Sequence, residues 1–137
     1  MSFEIKEIKE DKNINLTSIY FDYGSVKINQ TSKESLNRLV DFLKSNPNVE
    51  RIEIGSHTDQ VGSAEFNLAL SQQRAKSVEN YLVRKGVPRQ KVISIGYGEN
   101  KPVIKKATTE QEQRLNRRTE FKVVKYKKAE AEIEVVD

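Results

Sequence analysis

The sequence predicts an α+β fold, in which a mixed four-stranded sheet carries two main helices on one face as a second layer. Three observations lead there. Leu36, Leu39, Val40 and Leu43, and later Phe66, Leu70, Ala75, Val78 and Leu82, recur at helical spacing. Short runs rich in β-branched and aromatic residues, such as Ile19-Tyr20-Phe21 and Val92-Ile93, read as strands. Firm stops, Asn46-Pro47-Asn48 and Gly86-Val87-Pro88, separate the two kinds of segment. The resulting order is strand, helix, strand, helix, strand, short helix, strand. Helix-linked crossovers favour parallel neighbours, and the short last connection favours an antiparallel final pair, hence a mixed sheet.

Residues 1–15 are charge-rich, with Phe3, Ile5 and Ile8 as apolar anchors. They read as an N-terminal extension, either a short edge strand or the end of a linker. Leu16 to Tyr23 is the first expected strand, ending in the turn Asp22-Tyr23-Gly24-Ser25. Thr31 or Ser32 is expected to cap the first helix. Val49 to Gly55 follows as a strand alternating Ile52 and Ile54 with Arg51 and Glu53, and it delivers the polar turn from Ser56 to Gly62. Helical spacing then runs to Gly86. Lys91 to Tyr97 is the third strand, and Gly96-Tyr97-Gly98 marks a bulge or tight exit. A polar loop over residues 100–108 leads to a short helical turn, Thr109 to Leu115. Thr119 to Tyr126 closes the sheet, with Thr119, Phe121 and Val123 on one face and Glu120, Lys122 and Val124 on the other. The compact domain is thus expected over 16–126, and 127–137 reads as a polar tail.

With 137 residues the chain fits one domain with a modest core. No apolar run approaches the roughly 20 residues that span a bilayer. No apolar stretch of a secretory signal lies near Met1. The absence of cysteine excludes disulfides and thiolate metal sites. A single histidine, His57, argues against zinc, and no cofactor is expected. The net charge of +4 is uneven: between Lys101 and Lys128, ten Lys or Arg face three Glu, leaving −3 for the remainder.

Chemistry concentrates between Ser56 and Gly86. Asp59 lies in the turn before the long helix, and Arg74 about three turns into it. Asn67, Ser71 and Arg74 share a helix face. A carboxylate and a guanidinium beside one groove suit a small zwitterion, the acid taking an ammonium and the arginine a carboxylate. A plain Asp59–Arg74 salt bridge across the helix N-terminus is the other reading of the same spacing. Arg117 and Arg118 enter the last strand on opposite faces, so one is expected to meet an acid near the site and the other to face solvent.

His57-Thr58-Asp59, Gly62, Asn67, Leu70-Ser71, Arg74-Ala75, Val78 and Tyr81-Leu82 together resemble the signature of the OmpA-like peptidoglycan-binding domain. Gly96-Tyr97-Gly98-Glu99, Pro102, Arg114 and Asn116-Arg117-Arg118-Thr119-Glu120 continue the match in order. The family is shared by outer-membrane OmpA proteins, Pal lipoproteins and MotB stator proteins, and the resemblance covers about residues 19–124. It implies non-covalent binding of peptidoglycan, with Asp59 and Arg74 holding the diaminopimelate of a stem peptide. It further implies a site lined by Thr58, Val61, Gly62, Asn67 and Leu70, faced by Tyr23 and Gly24, with Arg118 as the second arginine. Family members usually carry a polar acid or amide where Gly24 stands, so that contact falls to backbone here. A periplasmic domain of an outer-membrane protein is implied, its anchor lying in a missing part of the full-length protein.

Two rival functions follow from other features. The basic stretch could meet nucleic acid, but it lacks interleaved stacking aromatics and any recognised binding motif. A wall hydrolase would need a metal, a nucleophile with its base, or paired carboxylates. His57 has no companion nucleophile and Asp59 no evident acidic partner, so the expectation is a binding module and no enzyme.

Overall fold

The computed structural model describes residues 12–13 and 18–127. The remainder of the expected extension, the start of the expected first strand at Leu16 and the tail beyond Lys127 lie outside the described residues. The elements are β1 (Lys12–Asn13), β2 (Ile19–Tyr20), α1 (Gln30–Ser45), β3 (Val49–His57), α2 (Ala64–Arg84), a 3-10 turn (Arg89–Lys91), β4 (Val92–Gly98), α3 (Glu110–Asn116) and β5 (Arg118–Tyr126).

The sheet is mixed. β3 lies at its centre, parallel to β4 and antiparallel to β5. The far edge of β5 is occupied twice: β2 pairs antiparallel at Thr119 and Arg118, and β1 at Val123 and Lys122. The sheet is therefore four strands wide, with two short strands in tandem on one edge. The edge-strand reading of the extension matches the placement of Lys12 and Asn13.

Both main helices pack on the face carrying Ile52, Ile54, Phe121 and Val123. The apolar stripe of α1 and the Ala75, Val78 and Leu82 stripe of α2 share one core cluster with these residues. The Tyr81 hydroxyl and Asn37 Oδ1, 2.8 Å apart, join the helices. Gly96 allows α2 to approach β4 closely: a Cβ there would stand 2.4 Å from the backbone nitrogen of Gln72. The expected irregularity at Gly96-Tyr97-Gly98 is a register shift, since Ser56 pairs with Gly96 and His57 with Gly98.

Three local expectations need correction. The cap of α1 is Asn29, whose side chain accepts from the Ser32 amide at 2.8 Å, rather than Thr31 or Ser32. The β2 ladder is two residues long, because the chain bends off β5 after Phe21, whose amide still donates to the Arg117 carbonyl at 3.1 Å. Phe66 is 54% exposed and not packed inward. It lies in the first turn of α2, and Gly98, the last residue of β4, already sits against Leu68, so that turn projects past the strand end.

Candidate functional site

The site forms where β3 ends. The Thr58 amide donates to the Gly98 carbonyl at 2.9 Å, and its hydroxyl donates to the Asp59 carbonyl at 2.8 Å. Asp59 Oδ1 then accepts from the Val61 amide at 3.1 Å, folding the chain into a turn through Gly62, which takes φ 95°. Ser63 caps α2 by accepting from the Phe66 amide. Asn67, one turn inside the helix, locks this lead-in: the two hydrogens of its side-chain Nδ2 are shared among the carbonyls of Asp59 and Val61, at 3.3 and 3.1 Å, and Glu99 Oε1 at 2.8 Å.

The shared face of Asn67, Ser71 and Arg74 is polar but not solvated. All three are buried, and the Ser71 hydroxyl accepts from the Gly98 amide at 2.9 Å. Arg74 is fully buried, one turn beyond the buried Leu70. Its Nε donates to the Ser25 carbonyl at 2.7 Å, Nη2 to the Asp22 carbonyl at 2.9 Å and Nη1 to the His57 carbonyl at 3.4 Å. The guanidinium also lies 4.8 Å from the Phe21 ring centroid. Among the described residues it has no carboxylate within ion-pair distance. Burial, and secondarily the charge of Arg117, lower its pKa to about 10 against the opposing pull of Asp59.

The alternative reading, a direct Asp59–Arg74 salt bridge, does not hold: Asp59 pairs with another arginine. Asp59 Oδ2 accepts from Arg117 Nη1 at 3.0 Å, both side chains being almost completely buried. Arg117 also donates from Nε to the Phe21 carbonyl at 2.8 Å and from Nη2 to Glu110 Oε2 at 2.5 Å. Burial disfavours its charge, but the bonds to Glu110 and Asp59 outweigh that cost and raise its pKa. α3 supplies Glu110, and the helix is fixed by a capping box between Thr109 and Glu112. The result is two buried guanidiniums around one buried carboxylate, since the Glu110 side chain is 74% exposed. Such a centre attracts an anion.

The structure brings Thr58, Asp59, Val61, Gly62, Asn67, Leu70 and Arg74 together, with the Tyr23-Gly24 turn held over Arg74 by the carbonyls on either side. Tyr23 and Val61 are exposed at the rim, and Gly24 takes φ 70°. Arg118 does not join them. It lies on the reverse of the sheet, donating from Nε to Glu120 Oε2 at 2.7 Å and from Nη2 to the Lys101 carbonyl at 2.9 Å. The alternation along β5 explains this, because residue 117 shares the parity of Thr119, Phe121 and Val123. That parity was the signal for Arg117. Glu99 was marked only by the family resemblance, and no comparable signal pointed to the Asp22 and Ser25 carbonyls. His57 divides between the two faces: its carbonyl holds Arg74, while its ring stacks on Tyr97 on the reverse side, centroids 5.1 Å apart.

The OmpA family model matches residues 20–117. The chain is 40% identical over 86 residues to the peptidoglycan-associated lipoprotein of Buchnera aphidicola subsp. Baizongia pistaciae, covering 63% of this chain and 49% of that protein. It is 38% identical over 106 residues to outer membrane porin F of Pseudomonas aeruginosa, covering 77% of this chain and 30% of the porin. The crystal structure of the peptidoglycan-associated lipoprotein from Burkholderia pseudomallei superposes with a TM-score of 0.72 at 33% identity, covering 77% of this chain and 87% of that one. The chain spans about half or less of these two curated relatives.

Proposed function

The chain belongs to the OmpA family, and from that premise we propose that it is a non-enzymatic module that binds peptidoglycan at the Asp59–Arg74 groove. The ligand is the diaminopimelate of a stem peptide, and the binding anchors an outer-membrane protein to the cell wall from its periplasmic side. Relatives named peptidoglycan-associated lipoprotein and outer membrane porin support this reading. The observation that carries it is Arg74, a buried cation held by carbonyls alone beside a buried carboxylate that already has its own arginine.

Diaminopimelate offers a free ammonium and carboxylate on one carbon. A carboxylate has about four lone-pair directions, and Asp59 spends two of them on Val61 and Arg117, leaving room for an ammonium. Arg74 has five N–H donors, of which three are directed at carbonyls. Its planar fork would take the ligand carboxylate, aided by turn amides at the start of α2. Because Arg74 is fully buried, the carboxylate reaches it only where the Tyr23–Ser25 turn gives way, and two backbone carbonyls are what tie that turn to the guanidinium.

Titration calorimetry with diaminopimelate and lysine stem peptides tests the proposal. Asp59→Ala or Arg74→Ala, in folded protein, is expected to cost about 2–5 kcal/mol of binding. The lysine peptide keeps the ammonium but lacks the neighbouring carboxylate, so the wild type should prefer diaminopimelate by at least about tenfold, or about 1.4 kcal/mol. Arg74→Ala should narrow that preference, and Asp59→Ala should weaken both ligands together. Equal affinity of the wild type for the two peptides would reduce Arg74 to a structural role.

A further inference from the structure

The face of the sheet turned away from the helices carries an open hollow of about 160 Å³. Gly55 opens it, since a Cβ there would stand 2.9 Å from the Tyr97 ring. The stacked rings of His57 and Tyr97 line it, and Lys101 Nζ lies 4.4 Å from the Tyr97 ring centroid.

The carboxylates of this hollow are already engaged. Glu53 accepts from the Tyr97 hydroxyl and stands 3.9 Å from Lys122. Glu120 accepts from Arg118 Nε, and its other oxygen stands 3.7 Å from His57 Nε2. The donors are not all engaged. Arg118 is 7% exposed, and its Nη1 is buried with no hydrogen-bond partner among the described residues; the same holds for His57 Nδ1. Lys101 has no carboxylate within ion-pair distance among the described residues. A buried charged donor left unpaired is costly and uncommon in folded proteins, and a ligand relieves it here once the guanidinium turns towards the hollow.

We infer that this hollow is a second binding site, for the carboxylate of a small acid. Three lining cations stand against two carboxylates, a surplus of one that matches a monoanion. Glu53 and Glu120 repel a dianion such as phosphate. Lys101 and the Arg118 guanidinium, which turns its buried Nη1 towards the hollow on binding, hold the carboxylate, and the His57 and Tyr97 rings pack the rest of a small molecule. None of Asp59, Asn67 and Arg74 lines this hollow, so the site stands apart from the groove proposed for the wall and goes beyond that reading.

The test is an NMR titration of the full 137-residue chain with N-acetylglycine, its neutral amide and phosphate as probes. The expected result is saturable shifts at the Arg118 guanidinium and the His57 and Tyr97 rings, with no response to the amide and weaker binding of phosphate. Arg118→Gln should weaken N-acetylglycine at least about tenfold, and Lys101→Gln, at an exposed position that leaves the core intact, at least about threefold. Should Arg118→Gln fail to fold, Lys101→Gln decides alone. The inference is overturned by an absence of saturation through the millimolar range or by an equal response to the amide. Tighter phosphate binding, an unaltered affinity in Lys101→Gln, or shifts centred on Asp59 and Asn67 would overturn it too.

Discussion

A histidine held neutral by burial makes stability depend on pH. Burial, followed by the charge of Arg118, lowers the His57 pKa to about 4 from its ordinary 6.5, with Glu120 opposing and Lys101 assisting. Above pH 6.5 the ring is neutral folded or unfolded, and it contributes nothing. As pH falls from 6.5 towards 4 the unfolded chain takes up a proton that the folded chain refuses, so stability is lost across that window and stays lost below it. At about 1.4 kcal/mol per pKa unit, the loss amounts to roughly 3 kcal/mol. Urea unfolding of the wild type and His57→Asn at pH 7 and pH 4.5 isolates this from the titration of carboxylates. The wild type is expected to lose roughly 2–3 kcal/mol more than the variant between the two pH values. Parallel losses in both proteins would show that His57 is not the group responsible.

At the level of elements, the site depends on how closely α2 lies on β4, because α2 carries Asn67, Ser71 and Arg74 while β4 ends at Gly98. The contact is made by backbone on both sides. A Cβ at residue 96 would meet the Gln72 nitrogen at 2.4 Å and the Ser71 hydroxyl at 2.6 Å, and helix backbone cannot rotate aside as a flexible side chain can. Gly96→Ala is therefore expected to cost about 1–3 kcal/mol or more, as overpacking does. It should also weaken the proposed wall binding by displacing Ser71 from the Gly98 amide. A variant with unchanged denaturant midpoint and unchanged affinity would mean that the two elements adjust freely.

At the scale of the whole molecule, the site is a junction of distant segments. Arg74 reaches carbonyls 49 and 52 residues earlier, and Arg117 reaches an acid 58 residues earlier. A ligand that binds the folded chain alone stabilises it as a unit, by about 2.7 kcal/mol at one hundred times the dissociation constant. Hydrogen exchange with a diaminopimelate peptide should accordingly slow together at residues 19–21, 52–57, 70–82 and 118–123. Protection confined to the Asp59–Gly62 turn would indicate that the segments do not open cooperatively. No helix among the described residues is long and apolar enough to cross a membrane.

Local chemistry was legible in the residues themselves. The stripe of α1, the stops at Pro47 and Gly86, the inward parity of β5 and the shared face of Asn67, Ser71 and Arg74 are periodicities of 3.6 or 2 that need no tertiary knowledge. The turn at Asp59 and the mixed character of the sheet follow from the same local logic. Which charges meet was decided only by the packed structure. Asp59 and Arg74 are near in sequence and suitable in charge, yet Asp59 pairs with Arg117, because β5 lies beside β3 and directs residue 117 to the helix side. Arg74 is left to backbone carbonyls delivered by the Tyr23–Ser25 turn. The physical reason is reach: a hydrogen bond is satisfied within about 3 Å, and sequence periodicity carries no information on which distant backbone will arrive there.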